Sequence, residues 1–389
     1  MSGPVLDETR RILGDLIGFP TVSADGNLAL IAYASAALDA IGAHTRTTLD
    51  ASGTKANLFA TIGPDTDGGI VLSGHTDVVP ADGEWTGDPF VAHEEGGRIY
   101  GRGACDMKGF IACALAMAPA FAATRLERPV HFAFTYDEEV GCFGARALVE
   151  ALREWSVKPS TCVIGEPTGM RIIEGHKGCY EYTTAFTGSA GHASEPDRGV
   201  NAIAYAGRFL ARLAETGEAL KGRAPAKSPF VPPWTTLQAG VIRGGTARNV
   251  IPDHCEVEWE MRPVTAADAD FALSEIRRCL EGELSPEMRA RHPGAGIVTH
   301  VVGEVDGLEP VAPSEALDLV RELTGGNAAD VVSFGTEAGL YQKAGISTVV
   351  CGPGFIEQAH RPDEYVSLDQ LDLCLQMLDR LAGKLSRRS

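Results

Sequence analysis

Two stretches of sequence decide the fold. Residues 70–77 read IVLSGHTD, and residues 130–139 read VHFAFTYDEE. In both, a short apolar run ends in a group of polar side chains, His75-Thr76-Asp77 in the first and Asp137-Glu138-Glu139 in the second. Such apolar runs are typical of buried strands in a parallel sheet, and ligands of open sheets bind beyond the carboxyl ends of the strands. The two stretches therefore predict an α/β sheet with a polar site at one edge.

The sequence on either side continues the alternation of strands and helices. Apolar residues recur at helical spacing over residues 6–17, 27–41, 107–123, 145–155 and 368–385, and further short strands are predicted at 162–164 and 348–351. Strands separated by helices predict a mostly parallel sheet flanked by helices on both faces.

The middle of the chain has a different order of elements. Strands are predicted at 180–186, 236–242, 254–261 and 296–302, and helices at 202–213 and 266–280; Pro-containing loops are predicted at 221–233 and 285–293. The order β-α-β-β-α-β is that of a ferredoxin-like layer. We therefore expect a discontinuous α/β domain (residues 1–178 and 305–389) with an inserted α+β domain (residues 179–304).

The charge and the composition exclude several classes of protein. The 389 residues include 52 acidic and 34 basic side chains, a formal charge of −18, which disfavours binding to nucleic acid or to an anionic membrane. The longest apolar run, residues 110–123, is too short to span a bilayer. The N-terminus does not resemble a signal peptide, and nine scattered cysteines without a C-x-x-C pair fit a reducing compartment. We expect a soluble protein of the cytoplasm.

Five polar clusters follow or lie near the ends of predicted strands. They are His75-Thr76-Asp77, Cys105-Asp106-Met107-Lys108, Glu138-Glu139, Glu166-Pro167-Thr168 and Gln358-Ala359-His360. Taken alone, a His-x-Asp is more often a loop histidine satisfied by a carboxylate, and a Glu-Glu pair is more often a solvated face. Five such clusters in successive loops instead indicate a hydrolytic site with two divalent ions.

The donor types also limit the identity of the metal. Imidazole and carboxylate ligands favour Zn²⁺, with Co²⁺ or Mn²⁺ as possible substitutes. Three carboxylates, Asp106, Glu139 and Glu166, together with one bridging hydroxide would balance two divalent cations. This count leaves Glu138 free for proton transfer and Asp77 free to orient His75.

Longer motifs around these clusters carry a specific resemblance. They are SGHTDVVP (73–80), GRGACDMKGF (101–110), TYDEEVGCFGA (135–145), IGEPT (164–168), GSAGHAS (188–194), GGTARNVIP (244–252) and GPGFIEQAHRPDEYV (352–366). The chain resembles the metallopeptidase M20 family over residues 70–366, and within that family it most resembles the acetylornithine deacetylase branch. The resemblance implies a di-zinc catalytic domain with an inserted ferredoxin-like lid that also dimerises.

The resemblance assigns roles to the residues of the catalytic domain. One metal ion would be held by His75, Asp106 and Glu166, and the other by Glu139, His360 and the bridging Asp106. Glu138 would be the general base and acid, and Asp77 would orient the histidine ligand.

Further roles concern the substrate. His192, in the lid, would reach the active site of the partner subunit and help to hold the developing oxyanion. Asn249 and Arg262 would bind the substrate carboxylate. Thr336 and Glu337 would contact the substrate side of the pocket, with Glu337 as a candidate partner for a substrate ammonium.

The expected activity is hydrolysis of N2-acetyl-L-ornithine to L-ornithine and acetate, a step of arginine biosynthesis. The expected partners are a small N-acyl amino acid substrate and a second copy of the chain, with no nucleic acid and no membrane. Succinyl-diaminopimelate desuccinylase, or another N-acyl amino acid deacylase or carboxypeptidase of the family, is the alternative within the same class. A metal-free binding module is a distant alternative, which metal analysis and one assay would exclude.

Overall fold

The computed structural model describes residues 3–386, which form two compact units. The larger unit contains the described residues up to Gly175, Pro310–Val331, and the described residues from Thr336 onward. The inserted unit contains His176–Glu309 and Val332–Gly335. Among residues 3–386, no helix combines the length and the apolar character that a membrane span requires.

The helices and strands follow one another in this order. The first part of the chain forms α1 (Pro4–Ile17), α2 (Leu28–Asp39), β1 (His44–Leu49), β2 (Ala56–Ile62), β3 (Ile70–His75), β4 (His93–Glu95), β5 (Arg98–Tyr100), α3 (Lys108–Ala123), β6 (Val130–Thr135), α4 (Phe143–Glu154), β7 (Thr161–Pro167) and β8 (Ile172–His176). The middle forms β9 (Cys179–Thr187), β10 (Gly191–His192), α5 (Ala202–Lys221), β11 (Thr236–Gly244), β12 (Val250–Ile251), β13 (His254–Arg262), α6 (Ala266–Arg277), α7 (Ser285–Arg291) and β14 (Gly296–Val305). The last part forms α8 (Glu315–Thr324), β15 (Ala329–Val332), α9 (Ala338–Lys343), β16 (Ser347–Gly352), β17 (Tyr365–Ser367) and α10 (Leu368–Leu385). Short 3-10 turns occur at Pro196–Arg198 and Ile356–Gln358, and a π-helical segment, Arg278–Leu284, joins α6 to α7.

The larger unit is built on an eight-stranded sheet in the order β1-β2-β6-β3-β7-β16-β8-β15. The four central strands, β6, β3, β7 and β16, are parallel to one another. The β1–β2, β2–β6 and β16–β8 pairs are antiparallel. The predicted α/β fold with a mostly parallel sheet flanked by helices is thereby confirmed.

The central strands are buried on both faces, as their apolar sequences require. Every residue of β3, β6 and β7 is buried. Helix α3 packs closely against β7. The ring of Phe110 occupies the space that a β-carbon at Gly165 would need. This close contact fixes the strand next to Glu166, one of the predicted ligands.

The inserted unit has a four-stranded antiparallel sheet in the order β11-β13-β9-β14. Alternate residues of β9 and β13 are buried, so one face of this sheet belongs to a core that includes α5 and α6. Tyr182 and Trp259 stack in that core with ring centroids 4.3 Å apart. The elements predicted for residues 179–304 occur in the predicted order, with the short strands β10 and β12 and the helix α7 in addition, whereas the use of this unit as a lid or dimerisation surface stays a prediction.

Several local predictions were wrong or incomplete. The expected loop at 285–293 contains α7, which begins directly after the π-helical segment and has Pro286 near its start. The β1–β2 hairpin was not predicted, and neither was the assignment of Val332–Gly335 to the inserted unit. The division between the units falls at Gly175/His176 and Glu309/Pro310, a few residues from the predicted boundaries.

Candidate metal centre

The five predicted ligands and the predicted general base, Glu138, lie beyond the carboxyl ends of the parallel strands of the larger unit. His75 ends β3, Glu138 and Glu139 follow β6, Glu166 lies near the end of β7, His360 follows β16, and Asp106 precedes α3. This is the edge at which open α/β sheets bind ligands. The structure brings all six side chains into one cluster through the contacts described next.

The first set of donor atoms centres on His75. Its Nδ1 lies 2.9 Å from the backbone carbonyl of Asp77, which fits a proton on Nδ1 and leaves Nε2 free as a donor to a metal. Nε2 lies 3.1 Å from Asp106 Oδ1 and 3.6 Å from Glu166 Oε1. One imidazole nitrogen and two carboxylate oxygens therefore converge on one point.

The second set lies on the other side of Asp106. Nε2 of His360 is 3.2 Å from Asp106 Oδ2 and 3.2 Å from Glu139 Oε1. Each oxygen of Asp106 thus faces a different histidine, which is the arrangement expected of a carboxylate that bridges two ions.

The donor sets fit two divalent cations. Ligands about 2.0–2.1 Å from a tetrahedral zinc ion are roughly 3.3 Å from one another, close to the 3.1–3.6 Å found here. Glu166 Oε1 is buried and has no hydrogen-bond partner among the described residues, although buried carboxylate oxygens are normally paired. A metal ion at the first set would satisfy this atom.

The charges of the cluster are strongly coupled. Burial raises the pKa of Glu166 well above its usual value, and the neighbouring Asp106 raises it further. Burial and Asp106 also raise the pKa of Glu139. Hydrogen bonds to Asp106 and Glu139 raise the pKa of His360 to about 10, and hydrogen bonds from both histidines lower the pKa of Asp106 against the effect of burial. The cluster is short of positive charge, as an acidic site built for cations would be.

Glu138 lies beside the first set. It forms a compact group with His75 and Glu166, so proximity alone does not separate a ligand from a proton acceptor. Its Oε1 is 3.6 Å from the Cys142 thiol, and burial raises its pKa well above the usual value. A buried carboxyl with a raised pKa is suited to proton transfer.

Asp77 does more than the sequence predicted. Its carboxylate lies 3.6 Å from His75 Nδ1 and accepts a hydrogen bond from Ser23 Oγ at 2.7 Å. It also accepts the backbone N–H groups of Glu138, at 3.1 Å, and Glu139, at 3.3 Å. The carboxylate of Asp77 therefore binds the β6 loop, and its backbone carbonyl contacts the histidine.

In the inserted unit, His192 and Asn249 lie close together. His192 pairs with Val250 in the short β10–β12 ladder, and Ala193 donates its backbone N–H to the carbonyl of Asn249 at 3.0 Å. Both residues are exposed, and Nδ1 of His192 contacts Ser194 Oγ at 2.7 Å. The unit therefore presents these two predicted residues on one surface.

Arg262 lies elsewhere in the same unit. It ends β13, whose other end, at His254, adjoins the loop that carries Asn249. A strand of this length spans about 27 Å, so Asn249 and Arg262 of one chain lie toward opposite ends of β13, and their binding of the substrate carboxylate stays a prediction. The guanidinium of Arg262 donates to Glu260 at 2.9 and 3.1 Å.

Thr336 and Glu337 are both completely buried in the larger unit. Glu337 accepts hydrogen bonds from Ser73 Oγ at 2.5 Å and Thr135 Oγ1 at 2.8 Å, one on each carboxylate oxygen. The two hydroxyls belong to β3 and β6, so Glu337 joins the strands that carry His75 and Glu138. Glu337 is thus part of the internal structure of the larger unit, and its contact with a substrate ammonium stays a prediction.

Comparisons with known proteins identify the family of the chain. The profile of peptidase family M20/M25/M40 matches residues 71–384. The chain belongs to this family. Acetylornithine deacetylase of Myxococcus xanthus is 38% identical over 96% of this chain and 97% of its own length. Acetylornithine deacetylase of Pasteurella multocida is 33% identical over 95% of this chain and 96% of its own length.

Solved structures of other peptidases share the fold. A metallo-carboxypeptidase from Sulfolobus solfataricus has a TM-score of 0.73 at 17% identity, covering 97% of this chain and 99% of its own. Human carnosine dipeptidase 1 has a TM-score of 0.65 at 19% identity, covering 97% of each chain. At these identities the likeness concerns the fold alone. Family membership makes the chain a hydrolase of the peptidase and amidohydrolase type that binds divalent metal.

Two residues of this M20 site were missed from the sequence. Glu364 and Arg102 form a buried ion pair, 2.7 Å between Nη1 and Oε2, next to Asp106. Both lie within the motifs GRGACDMKGF and GPGFIEQAHRPDEYV, but their types suggested neither metal binding nor proton transfer. Arginine is rarely buried, so the burial of Arg102 is the signal that could have identified it, but the sequence did not reveal that burial.

Proposed function

We propose that the chain hydrolyses N-acyl amino acids, with N2-acetyl-L-ornithine as its substrate and two Zn²⁺ ions, replaceable by Co²⁺, as its cofactors. The observation that carries the metal assignment is the placement of Asp106, whose two oxygens face His75 and His360 separately. The substrate rests on the similarity to acetylornithine deacetylases over nearly the whole chain.

The proposed ligands are His75, Asp106 and Glu166 for one ion, and Asp106, Glu139 and His360 for the other. When bound, such ions supply Lewis acidity toward the amide carbonyl and lower the pKa of a coordinated water. Nδ1 of His75, held by the carbonyl of Asp77, keeps Nε2 turned toward the donor set.

Glu138 moves the proton. Its carboxylate takes the proton of the attacking water and then gives it to the departing amine, which leaves as ornithine while the acyl group leaves as acetate. Burial raises the pKa of Glu138, and two bound cations would act in the opposite direction by favouring the carboxylate that the first transfer requires.

The inserted unit completes the site from a second subunit. His192 and Asn249 lie on one surface, whereas Arg262 is at the far end of β13. A symmetric dimer reconciles this separation, with His192 and Asn249 of one subunit and Arg262 of the other serving a single substrate. In this arrangement His192 donates to the developing oxyanion, and Asn249 and Arg262 bind the α-carboxylate.

The proposed setting is arginine biosynthesis in the cytoplasm. All nine cysteines are free, which suits a reducing compartment. The net charge of −18 disfavours nucleic acid and anionic membranes as partners.

Metal analysis and a substrate panel test the proposal. Purified protein should carry two divalent ions per chain and hydrolyse N-acetylornithine with the highest kcat/KM among N-acetylornithine, N-acetylmethionine and N-succinyl-diaminopimelate. Removal of metal by a chelator should abolish turnover, and Zn²⁺ or Co²⁺ should restore it. A preference for the succinyl substrate would make the chain a desuccinylase, and absence of both metal and turnover would make it a binding module.

A further inference from the structure

Glu364 is almost completely buried, with 1% of its side chain exposed, and it binds the loop that carries Asp106. Its Oε2 accepts from Arg102 Nη1 at 2.7 Å and from the backbone N–H of Gly103 at 3.1 Å. Its Oε1 accepts from the backbone N–H groups of Cys105 at 2.9 Å and Asp106 at 3.0 Å. One carboxylate therefore fixes three peptide groups of this loop, including that of Asp106 itself.

The same glutamate belongs to the segment that carries His360. Its own backbone carbonyl accepts the N–H of Gly101 at 2.9 Å, so the two segments are joined by backbone as well as by side chain. His360 has a left-handed φ of 58°, a conformation that a residue with a β-carbon adopts when its surroundings hold it there. The contacts of Glu364 are thus suited to fix the distance between Asp106 and His360.

Arg102 extends this connection toward the His75 loop. Its guanidinium lies 5.0 Å from the ring centroid of Trp85 and donates to the carbonyl of Pro80 at 3.0 Å. The ion pair with Glu364 is buried on both sides, so loss of either partner leaves an uncompensated charge.

We propose that Glu364 is a positioning residue for the metal centre, which sets the bridging carboxylate of Asp106 relative to His360. The inference rests on the proposed metal function and adds a residue that binds neither ion nor substrate. The four donors around Glu364 require a carboxylate at this position, because each of its two oxygens accepts two hydrogen bonds. In Glu364→Gln, either orientation of the amide turns its NH₂ group toward two donors, and about half of the contacts are lost.

The consequence should appear in metal affinity. Changes in groups that orient metal ligands typically weaken binding by about 10–100-fold. We therefore expect Glu364→Gln to bind Co²⁺ at least about tenfold more weakly in competition with a chromophoric chelator, with an altered visible Co²⁺ spectrum.

Asp363→Asn is the matched control. Asp363 is the neighbouring carboxylate in the same turn, and it accepts from the backbone N–H and the hydroxyl of Thr86 at 2.9 and 2.7 Å. This variant should retain the affinity and the Co²⁺ spectrum of the parent. Unfolding temperatures with and without metal complete the comparison, because a merely structural role would lower both equally and leave the affinity unchanged.

The outcomes separate the two proposals. If the parent protein binds no metal, the proposed function fails and this inference fails with it. If the parent binds metal and folded Glu364→Gln binds it equally well, only the positioning role is overturned. Should Glu364→Gln not fold, Arg102→Lys, which keeps the charge but loses the guanidinium fork, should weaken Co²⁺ binding several-fold. Unchanged affinity in that variant would overturn the role.

Discussion

Replacing Glu138 by Gln should stop turnover while both metal ions stay bound, whereas Glu139→Gln should lower the metal content. The two residues are adjacent and similarly buried, and the substitution is the same, so each variant controls for the other. Glu139 Oε1 lies 3.2 Å from His360 Nε2, in the second donor set. Glu138 Oε1 has the Cys142 thiol as its neighbour at 3.6 Å. Because Glu138 lies in one group with His75 and Glu166, its position alone does not show whether it is a metal ligand or a proton acceptor, and the two variants distinguish these roles.

The expected loss differs in kind between the two variants. A positioned general base or acid contributes about 10²–10⁴-fold to the rate, equivalent to about 3–5 kcal/mol of the barrier, so Glu138→Gln should lower kcat by at least that factor. Glu139→Gln replaces an anionic oxygen beside His360 with a neutral one. We expect it to lose about one ion per chain and to regain part of its activity in excess Zn²⁺, because mass action refills a weakened site.

The assay measures metal stoichiometry and kcat on the same preparations, each after dialysis against metal-free buffer. A Glu138→Gln protein with two ions per chain and no turnover supports proton transfer. Loss of an ion in Glu138→Gln, with two ions retained in Glu139→Gln, would refute the reasoning and exchange the roles of the two glutamates.

Three further predictions concern the subunit partnership, Glu337 and pH. Mixing inactive His192→Ala and Glu138→Ala chains should restore part of the activity, because one site of each mixed dimer combines both intact residues. If verified subunit exchange restores no activity, His192 acts in the site of its own subunit or has no part in catalysis. Glu337→Gln should lower the unfolding temperature and reduce kcat/KM for N-acetylornithine and N-acetylmethionine alike, because its oxygens bind Ser73 and Thr135; a loss confined to the cationic substrate would support the predicted ammonium contact. Burial lowers the pKa of His131 to about 4. Between about pH 6.5 and pH 4 the unfolded chain therefore binds a proton at this histidine that the folded chain does not. As the pH falls through this range, His131 should lower the free energy of unfolding by up to about 3 kcal/mol. Urea unfolding at pH 7 and pH 4.5 should show a smaller loss in His131→Asn than in the parent, and equal losses would contradict this assignment.

The central strands and the order of the elements could be predicted because their sequences carry the periodicity of the structure. Strands β3 and β6 are buried along their whole length, and their short, mainly apolar runs end in polar residues, so they are recognisable without tertiary information. The β1–β2 hairpin was missed because β1 reads HTRTTL and lies at the edge of the sheet, where polar side chains are tolerated. Helix α7 was missed because a proline in a first turn looks the same in sequence as a proline in a loop.

The set of metal-ligand candidates could also be predicted, because each follows or lies near a strand end and the fold brings these ends together. The direction of a side chain is a different matter. Glu337 shares a motif with Thr336, and nothing in that motif reveals that its carboxylate points toward Ser73 and Thr135. The buried ion pair of Arg102 and Glu364 joins residues far apart in the chain, so its existence depends on packing that local sequence does not encode.

Two carboxylates outside the proposed ligand set hold the loops of the site in pairs. Asp77 accepts the backbone N–H groups of Glu138 and Glu139, so it ties the β3 loop to the β6 loop. Glu364 accepts the backbone N–H of Asp106, so it ties the loop before α3 to the segment of His360. On the proposed assignment, each ion connects these two pairs of loops. One ion binds Asp106 and His75 of the β3 loop, and the other binds Asp106 and Glu139 of the β6 loop. Protein hydrogen bonds fix the geometry within each pair, and the ions would strengthen the connection between pairs that the hydrogen bonds of Arg102 to Pro80 and of Thr86 to Asp363 already make. Mutation of either carboxylate should therefore weaken metal binding without removing a ligand.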